Sequence, residues 1–157
     1  KLDAGRYRAM IDCATRLNTP GTKLGAFDEV HALTDVTGFG LLGHLLEVCR
    51  ASHVGALLEW ERVPLLPGVV ELVRAGHKTG GSARNWASYG ASIDLKGKGE
   101  VEQALLTDPQ TSGGLLVSCA PNAVAPVLEL FHADGFGQAA VIGEIVAGPP
   151  TVVVGRP

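Results

Sequence analysis

Asp35 follows Val30 to Leu33, which read as the end of a strand, and Thr34, and the turn Val36-Thr37-Gly38-Phe39-Gly40 comes after it before Leu41 opens a helical pattern. A strand-to-helix turn of this kind presents backbone N–H groups at a helix N-terminus, where the aligned peptide dipoles favour an anion. A carboxylate beside an anion site repels the anion unless a cation lies between them. The simplest chemistry consistent with both features is a metal-bridged phosphate, with Asp35 as a hard oxygen ligand for Mg²⁺. His44 and Glu47 stand three apart in the same helical pattern. They read as a polar stripe with local ion pairs, and contact between His44 and a bound phosphate is the sharper alternative.

The same residues admit a rival. Gly38-Phe39-Gly40-Leu41-Leu42-Gly43 fits G-x-G-x-x-G, and Glu59 lies 21 residues beyond Gly38. That is the dinucleotide-binding fingerprint with its ribose-binding acid. Against it, Asp35 precedes the first glycine by only three residues, where a metal-free pyrophosphate meets a negative charge. After Trp60 come a turn, a short helix and a glycine-rich loop, without a clear third strand. Two further stretches carry polar groups at turns. Gly80-Gly81-Ser82 reads either as the cap of a short helix with Arg84 beside it, or as a loop that turns a corner. Asp108 reads as an Asx-type turn, or with Thr111, Ser112 and Gly113 as a substrate contact.

The elements that position these residues follow from apolar spacing. Tyr7, Met10, Ile11, Ala14 and Leu17 predict a helix over Ala4 to Leu17, stopped by Asn18-Thr19-Pro20-Gly21, with a loop through Lys23 after it. A strand at Val30 to Leu33, a helix at Leu41 to Ala51 and a strand at Val54 to Trp60 form a strand-helix-strand unit, right-handed if parallel. Short helices follow at Val69 to Ala75, Ala83 to Ser88 with Ser82 as N-cap, and Glu100 to Leu106. Ala91 to Gly99 reads as an exposed loop. A second unit comprises a strand at Leu115 to Cys119, a helix from Pro121 to about Ala133 and strands at Ala139 to Val146 and Thr151 to Val154, the last two as a hairpin around Gly148-Pro149-Pro150. Two such units packed on one sheet imply an α+β domain with ferredoxin-like character. The expectation is one domain over residues 1–157.

Composition bounds the function classes. The net charge of −3 is too slight to imply a polyanion partner, and 5% aromatic residues argue against a stacking platform for nucleic acid. Arg74, His77, Lys78, Arg84, Lys96 and Lys98 cluster in the middle third, as a local anion site or, more simply, a solvated face. No apolar run reaches the roughly 18 residues of a membrane span. Cys13, Cys49 and Cys119 have apolar neighbours and no Cys-x-x-Cys spacing, and read as reduced core thiols of a cytoplasmic protein. The chain opens on Lys1 without Met, as a piece of a longer protein would.

Three stretches together resemble one family. Thr34-Asp35-Val36-Thr37-Gly38-Phe39-Gly40-Leu41-Leu42-Gly43-His44, the run from Gly80 to Gly90 and the run from Asp108 to Leu116 are similar, in that order, to signatures of selenophosphate synthetases (selenide, water dikinases). They are similar to its carboxy-terminal half. That family belongs with aminoimidazole ribonucleotide (AIR) synthetase and HypE among ATP-dependent enzymes of two domains. The resemblance implies a three-layer α/β/α carboxy-terminal domain with a mixed sheet, closing over an ATP site built mostly by the amino-terminal domain. It implies synthesis of selenophosphate from selenide, ATP and water, and a homodimeric parent protein. It carries a magnesium-ligand role onto Asp35, in agreement with the charge argument. It assigns Thr34, Thr37, Gly38 and Gly40 to the nucleotide loop, and places Gly80, Gly81, Asn85, Asp108, Thr111, Ser112 and Gly113 in signatures near the cofactor. The family's reactive Cys or selenocysteine and its other magnesium aspartates lie in the amino-terminal half, so no catalytic residue is expected in this chain and the chain alone is expected to be inactive. Another ATP-dependent enzyme of the AIR synthetase type is the alternative. A non-catalytic regulatory or oligomerisation module is a further one.

Overall fold

The computed structural model describes residues 2–155. Helix α1 spans Ala4–Ala14, and the Asp3 carboxylate caps it by accepting the Arg6 N–H at 2.9 Å. It ends before Leu17, short of the expected stop, and none of its residues is buried. Tyr7 is 56% exposed and Leu17 77% exposed, so the spacing that predicted the helix did not predict a cover for it. The expected loop contains a short helix α2, Pro20–Leu24, opened by proline at its first turn.

Strand β1, Val30–Asp35, leads to helix α3, Gly40–Ser52, and strand β2, Gly55–Leu58. His53, in a left-handed conformation, ends α3. Helices α4, Val69–Arg74, and α5, Gly80–Tyr89, come next, then the two-residue strand β3, Ile93–Asp94, and helix α6, Glu100–Leu106. Strand β4, Leu115–Cys119, helix α7, Val124–Ala133, and strands β5, Gly143–Val146, and β6, Val152–Val154, complete the order. The N-cap of α5 is Thr79, whose hydroxyl accepts the Ser82 N–H; Ser82, expected in that place, is buried inside the helix.

The mixed α+β class is borne out, with the strands divided between two sheets. β1 pairs antiparallel with β4 in a ribbon, Asp35 opposite Leu115 and Leu33 opposite Val117. The second sheet runs β3-β6-β2-β5, with β2 parallel to β6 and antiparallel to β5. β1 and β2 therefore do not share a sheet, and the expected strand-helix-strand unit is not a paired one. The expected hairpin is also corrected. β5 and β6 flank β2 on opposite sides, and their Gly148-Pro149-Pro150 connection crosses its end, where Ala56 N–H donates to the Thr151 carbonyl at 3.0 Å. β3 forms inside the expected exposed loop because Ile93 pairs with Val152.

Two apolar clusters hold the layers. α3 lays Leu42, Leu45, Leu46 and Cys49 on Ala56 and Leu58 of β2 and Val152 and Val154 of β6, with Tyr89 and Leu106 closing the side. Each such leucine contributes about 1.5–3 kcal/mol by leaving water. Leu24, Val127 and Phe131 form the second cluster against Leu115, Val117 and Cys119 of the ribbon. The thiols divide likewise: Cys49 is buried, Cys119 half-buried, and Cys13 exposed, contrary to its expected place in the core. Burial pushes the Cys49 and Cys119 thiols up.

Candidate functional site

The turn after β1 is built by contacts between segments remote in sequence. Val36 N–H extends the ribbon ladder to the Gly114 carbonyl at 2.9 Å, and Gln110 N–H donates to the Thr37 carbonyl at 3.0 Å. The side-chain amide of Asn85, on α5, donates to the Gly38 carbonyl and to the Thr107 carbonyl, each at 2.9 Å. The Tyr89 hydroxyl, also on α5, donates to the Phe39 carbonyl. Burial pushes that phenol up to about 12, so it remains a donor at neutral pH. The three signature stretches thus meet in one seam.

The seam's glycines are spent on close packing. Gly40 has φ +68°, and a Cβ there would lie 2.6 Å from the Thr107 backbone carbon. A Cβ on Gly113 would lie 1.9 Å from the Val36 carbonyl oxygen. Gly81 is closed off by the Pro109 ring, while Gly38 and Gly80 have no backbone pressed on their Cβ positions. Asp108 is also engaged: its carboxylate accepts the Thr79 hydroxyl at 2.8 Å, the Ser82 hydroxyl at 3.3 Å and the Gln110 amide at 3.4 Å. Thr111 and Ser112 are exposed. The Thr34 hydroxyl donates to the neighbouring Asp35 carbonyl at 3.1 Å.

Asp35 differs from these. It is exposed at the end of β1, and among the described residues no hydrogen bond or ion pair engages its carboxylate. That suits a hard cation, since no cationic neighbour competes for the charge. Among the described residues no three His, Cys, Asp or Glu side chains come together as a metal cage. Asp35 can therefore be one ligand of a shared ion, with the remaining oxygens coming from elsewhere.

Sequence reasoning did not join Thr37 to His44. His44 is buried on α3, with Nε2 3.2 Å from Thr37 Oγ1 and Nδ1 3.0 Å from Glu47 Oε2. The three-residue spacing of His44 and Glu47 signalled their pairing, and the local pair expected there is present, with His44 itself buried. A groove of about 360 Å³ lies between β1 and α3, lined by His31, Thr34, His44 and Glu47 among others. A cavity of about 150 Å³ lies beside the start of α5, lined by Val73, His77, Lys78 and Asp108 among others. The basic residues of the middle third are not gathered into one anion site: Lys78 pairs with Glu100, Lys96 with Asp94 and Lys98 with Glu61.

The dinucleotide reading loses its frame here. It requires β1 and the next strand as parallel neighbours, whereas β1 pairs antiparallel with β4 and β2 lies in the other sheet. Residues 14–156 match the family model described as AIR synthase related protein, C-terminal domain. The chain belongs to this family.

Relatives of this AIR synthase related domain agree with the sequence resemblance. Proteins named selenide, water dikinase from Pseudomonas straminea and Paraburkholderia xenovorans are 55% and 57% identical over 98% of the chain. The chain spans less than half of their length, 43% and 44% respectively. A relative of the same name from Rhizobium meliloti is 45% identical over 98% of the chain and 44% of its own length. Among solved structures, E. coli HypE, described as a hydrogenase maturation protein, matches 87% of the chain and 34% of its own length. Its TM-score is 0.62 at 21% identity, a likeness of fold.

Proposed function

We propose that the chain is the carboxy-terminal domain of an ATP- and Mg²⁺-dependent enzyme that makes selenophosphate from selenide, ATP and water, releasing AMP and phosphate. The observation that carries this reading is the contrast at the seam: Asp108 is held by three donors, while Asp35 projects from β1 with its charge uncompensated. The name shared by the long relatives supports the substrate.

In this reading Asp35 is the domain's ligand to the magnesium ions that accompany ATP, and the metal neutralises phosphate charge when bound. The turn from Val36 to Gly40 presents Thr37 and the start of α3 to the nucleotide. Asn85 and Gln110 each donate to a carbonyl of the turn, which fixes its shape. Thr111 and Ser112, exposed at the same seam, are available to substrate, whereas Asn85, Asp108 and Gly113 act by holding the site together. The remaining ligands and the reactive nucleophile belong to the rest of the parent protein, a cytoplasmic homodimer. The 157-residue chain alone is inactive.

The test uses the full-length protein. Asp35→Asn lowers selenide-dependent AMP formation by about a hundredfold or more, since a metal-bridged charge is worth several kcal/mol, and it raises the Mg²⁺ concentration needed for half-maximal rate. Circular dichroism remains that of the parent. Near-parental activity in the variant removes Asp35 from the metal.

A further inference from the structure

We infer that Thr37 is a catalytic residue, with His44 and Glu47 forming a proton relay behind it that activates water at the phosphate. The inference rests on the function proposed above and adds to it a group that handles protons.

The geometry sets the direction of the relay. An ionised carboxylate only accepts hydrogen bonds, so Glu47 Oε2, 3.0 Å from His44 Nδ1, keeps the proton on that nitrogen. Nε2 is then left with a lone pair, and the Thr37 hydroxyl 3.2 Å away donates to it. Glu47, His44 and Thr37 therefore form a carboxylate–imidazole–hydroxyl chain, the arrangement that polarises a hydroxyl by an oriented base. The imidazole is held in place: its side chain is 10% exposed, and the Phe39 ring lies 5.6 Å away between centroids. Thr37 belongs to the turn that also contains Gly38, two residues from Asp35. The hydroxyl thus links a buried imidazole to the turn that follows Asp35.

Atoms and electrons balance in this step. A water oxygen attacks phosphorus of a phosphoanhydride, forming one P–O bond while the bridging P–O bond breaks and the leaving phosphate takes the electron pair. The water proton passes to Thr37 Oγ1, whose own proton passes to His44 Nε2. The resulting imidazolium is stabilised by Glu47. The groups in contact with the imidazole are Glu47 and Thr37, with the Phe39 ring beside it, and the groove it lines is shared with His31 and Thr34 of β1.

A link that merely pins the turn to α3 predicts different behaviour, and the experiment separates the two in the full-length protein. His44→Gln retains a polar partner for Thr37 but no proton acceptor of useful basicity. It lowers kcat for AMP formation by about 10²–10³-fold, within the range of general-base catalysis, with KM for ATP shifted less than about threefold. Thr37→Val falls equally far, whereas Thr37→Ser stays within about fivefold of the parent. In ¹⁵N-histidine spectra of the same protein His44 is the Nδ1–H tautomer, and Glu47→Gln relaxes that preference. Parental kcat in His44→Gln, equal loss in Thr37→Ser and Thr37→Val, or an Nε2–H tautomer overturns the relay. If those results come with a wild-type protein that forms AMP with selenide and an inactive Asp35→Asn variant, the relay alone falls. A wild-type protein without selenide-dependent ATP cleavage overturns both the relay and the function beneath it.

Discussion

Helix α1 and the seam around Gly38 are both legible in the sequence, and the fold treats them in opposite ways. Apolar residues recur along α1 at helical spacing, yet none of its residues is buried. The seam is polar and glycine-rich, as a flexible loop is, yet it joins segments up to 95 residues apart through Asn18, Asn85 and Gln110. The difference teaches that periodicity reports local geometry, while rigidity is decided by the partners that each carbonyl finds.

The comparison is broken most forcefully by adding one methyl group. Gly113→Ala drives a Cβ into the Val36 carbonyl, and a clash with backbone cannot be relieved by a rotamer change. It costs about 3 kcal/mol, read as a lower urea midpoint. Gly114→Ala meets nothing within 4 Å and stays within about 0.5 kcal/mol. Equal effects at the two neighbours show that the seam is not packed as described.

Removing a donor is the next test. Asn85→Ala leaves the Gly38 and Thr107 carbonyls without their side-chain partner, at about 1–3 kcal/mol. It also raises hydrogen exchange in the segment from Val36 to Gly40. Unchanged exchange there makes Asn85 dispensable to the turn.

Tyr89→Phe is milder and adds a pH signature. Losing the bond to the Phe39 carbonyl costs about 1 kcal/mol at neutral pH. In the fold the phenol is raised to about 12, above its ordinary value near 10. Its stabilising contribution is therefore complete below pH about 10 and is lost as pH rises through about 12. The variant lacks that part of the alkaline decline in thermal midpoint. An alkaline limb identical to the parent's excludes Tyr89 as its source.

The smallest effect belongs to α1. Ile11→Gln changes stability by about 0.5 kcal/mol or less, as expected where no core is disturbed. A loss of several kcal/mol in the full-length protein, by unfolding in urea, means that another segment covers the stripe.

Much of the site was legible residue by residue. Asp35 was singled out by charge beside a helix start, and it is exposed at the end of β1. The cap of α5 was misplaced from Thr79 to Ser82 because both are hydroxyl residues flanking Gly80-Gly81, and only the backbone angles choose between them. Asp108 read equally as a turn residue or a substrate contact, and the donors that engage it include Thr79 and Ser82, 29 and 26 residues away. The second sheet was hidden because β2, β5 and β6 are short, and nothing local distinguishes a hairpin from two strands that flank a third.

By itself the sequence determined the helices at Leu41 and Glu100 and the one expected from Pro121, the α+β class, and the family, because helical periodicity and contiguous signatures are local properties of the chain. Tertiary structure alone decided the division into two sheets, the meeting of the three signatures at Asn85 and the line from Glu47 through His44 to Thr37. These depend on hydrogen-bond partners and close backbone approaches between distant segments. Such contacts are selected by the packing of α3 and α5, which no local pattern encodes.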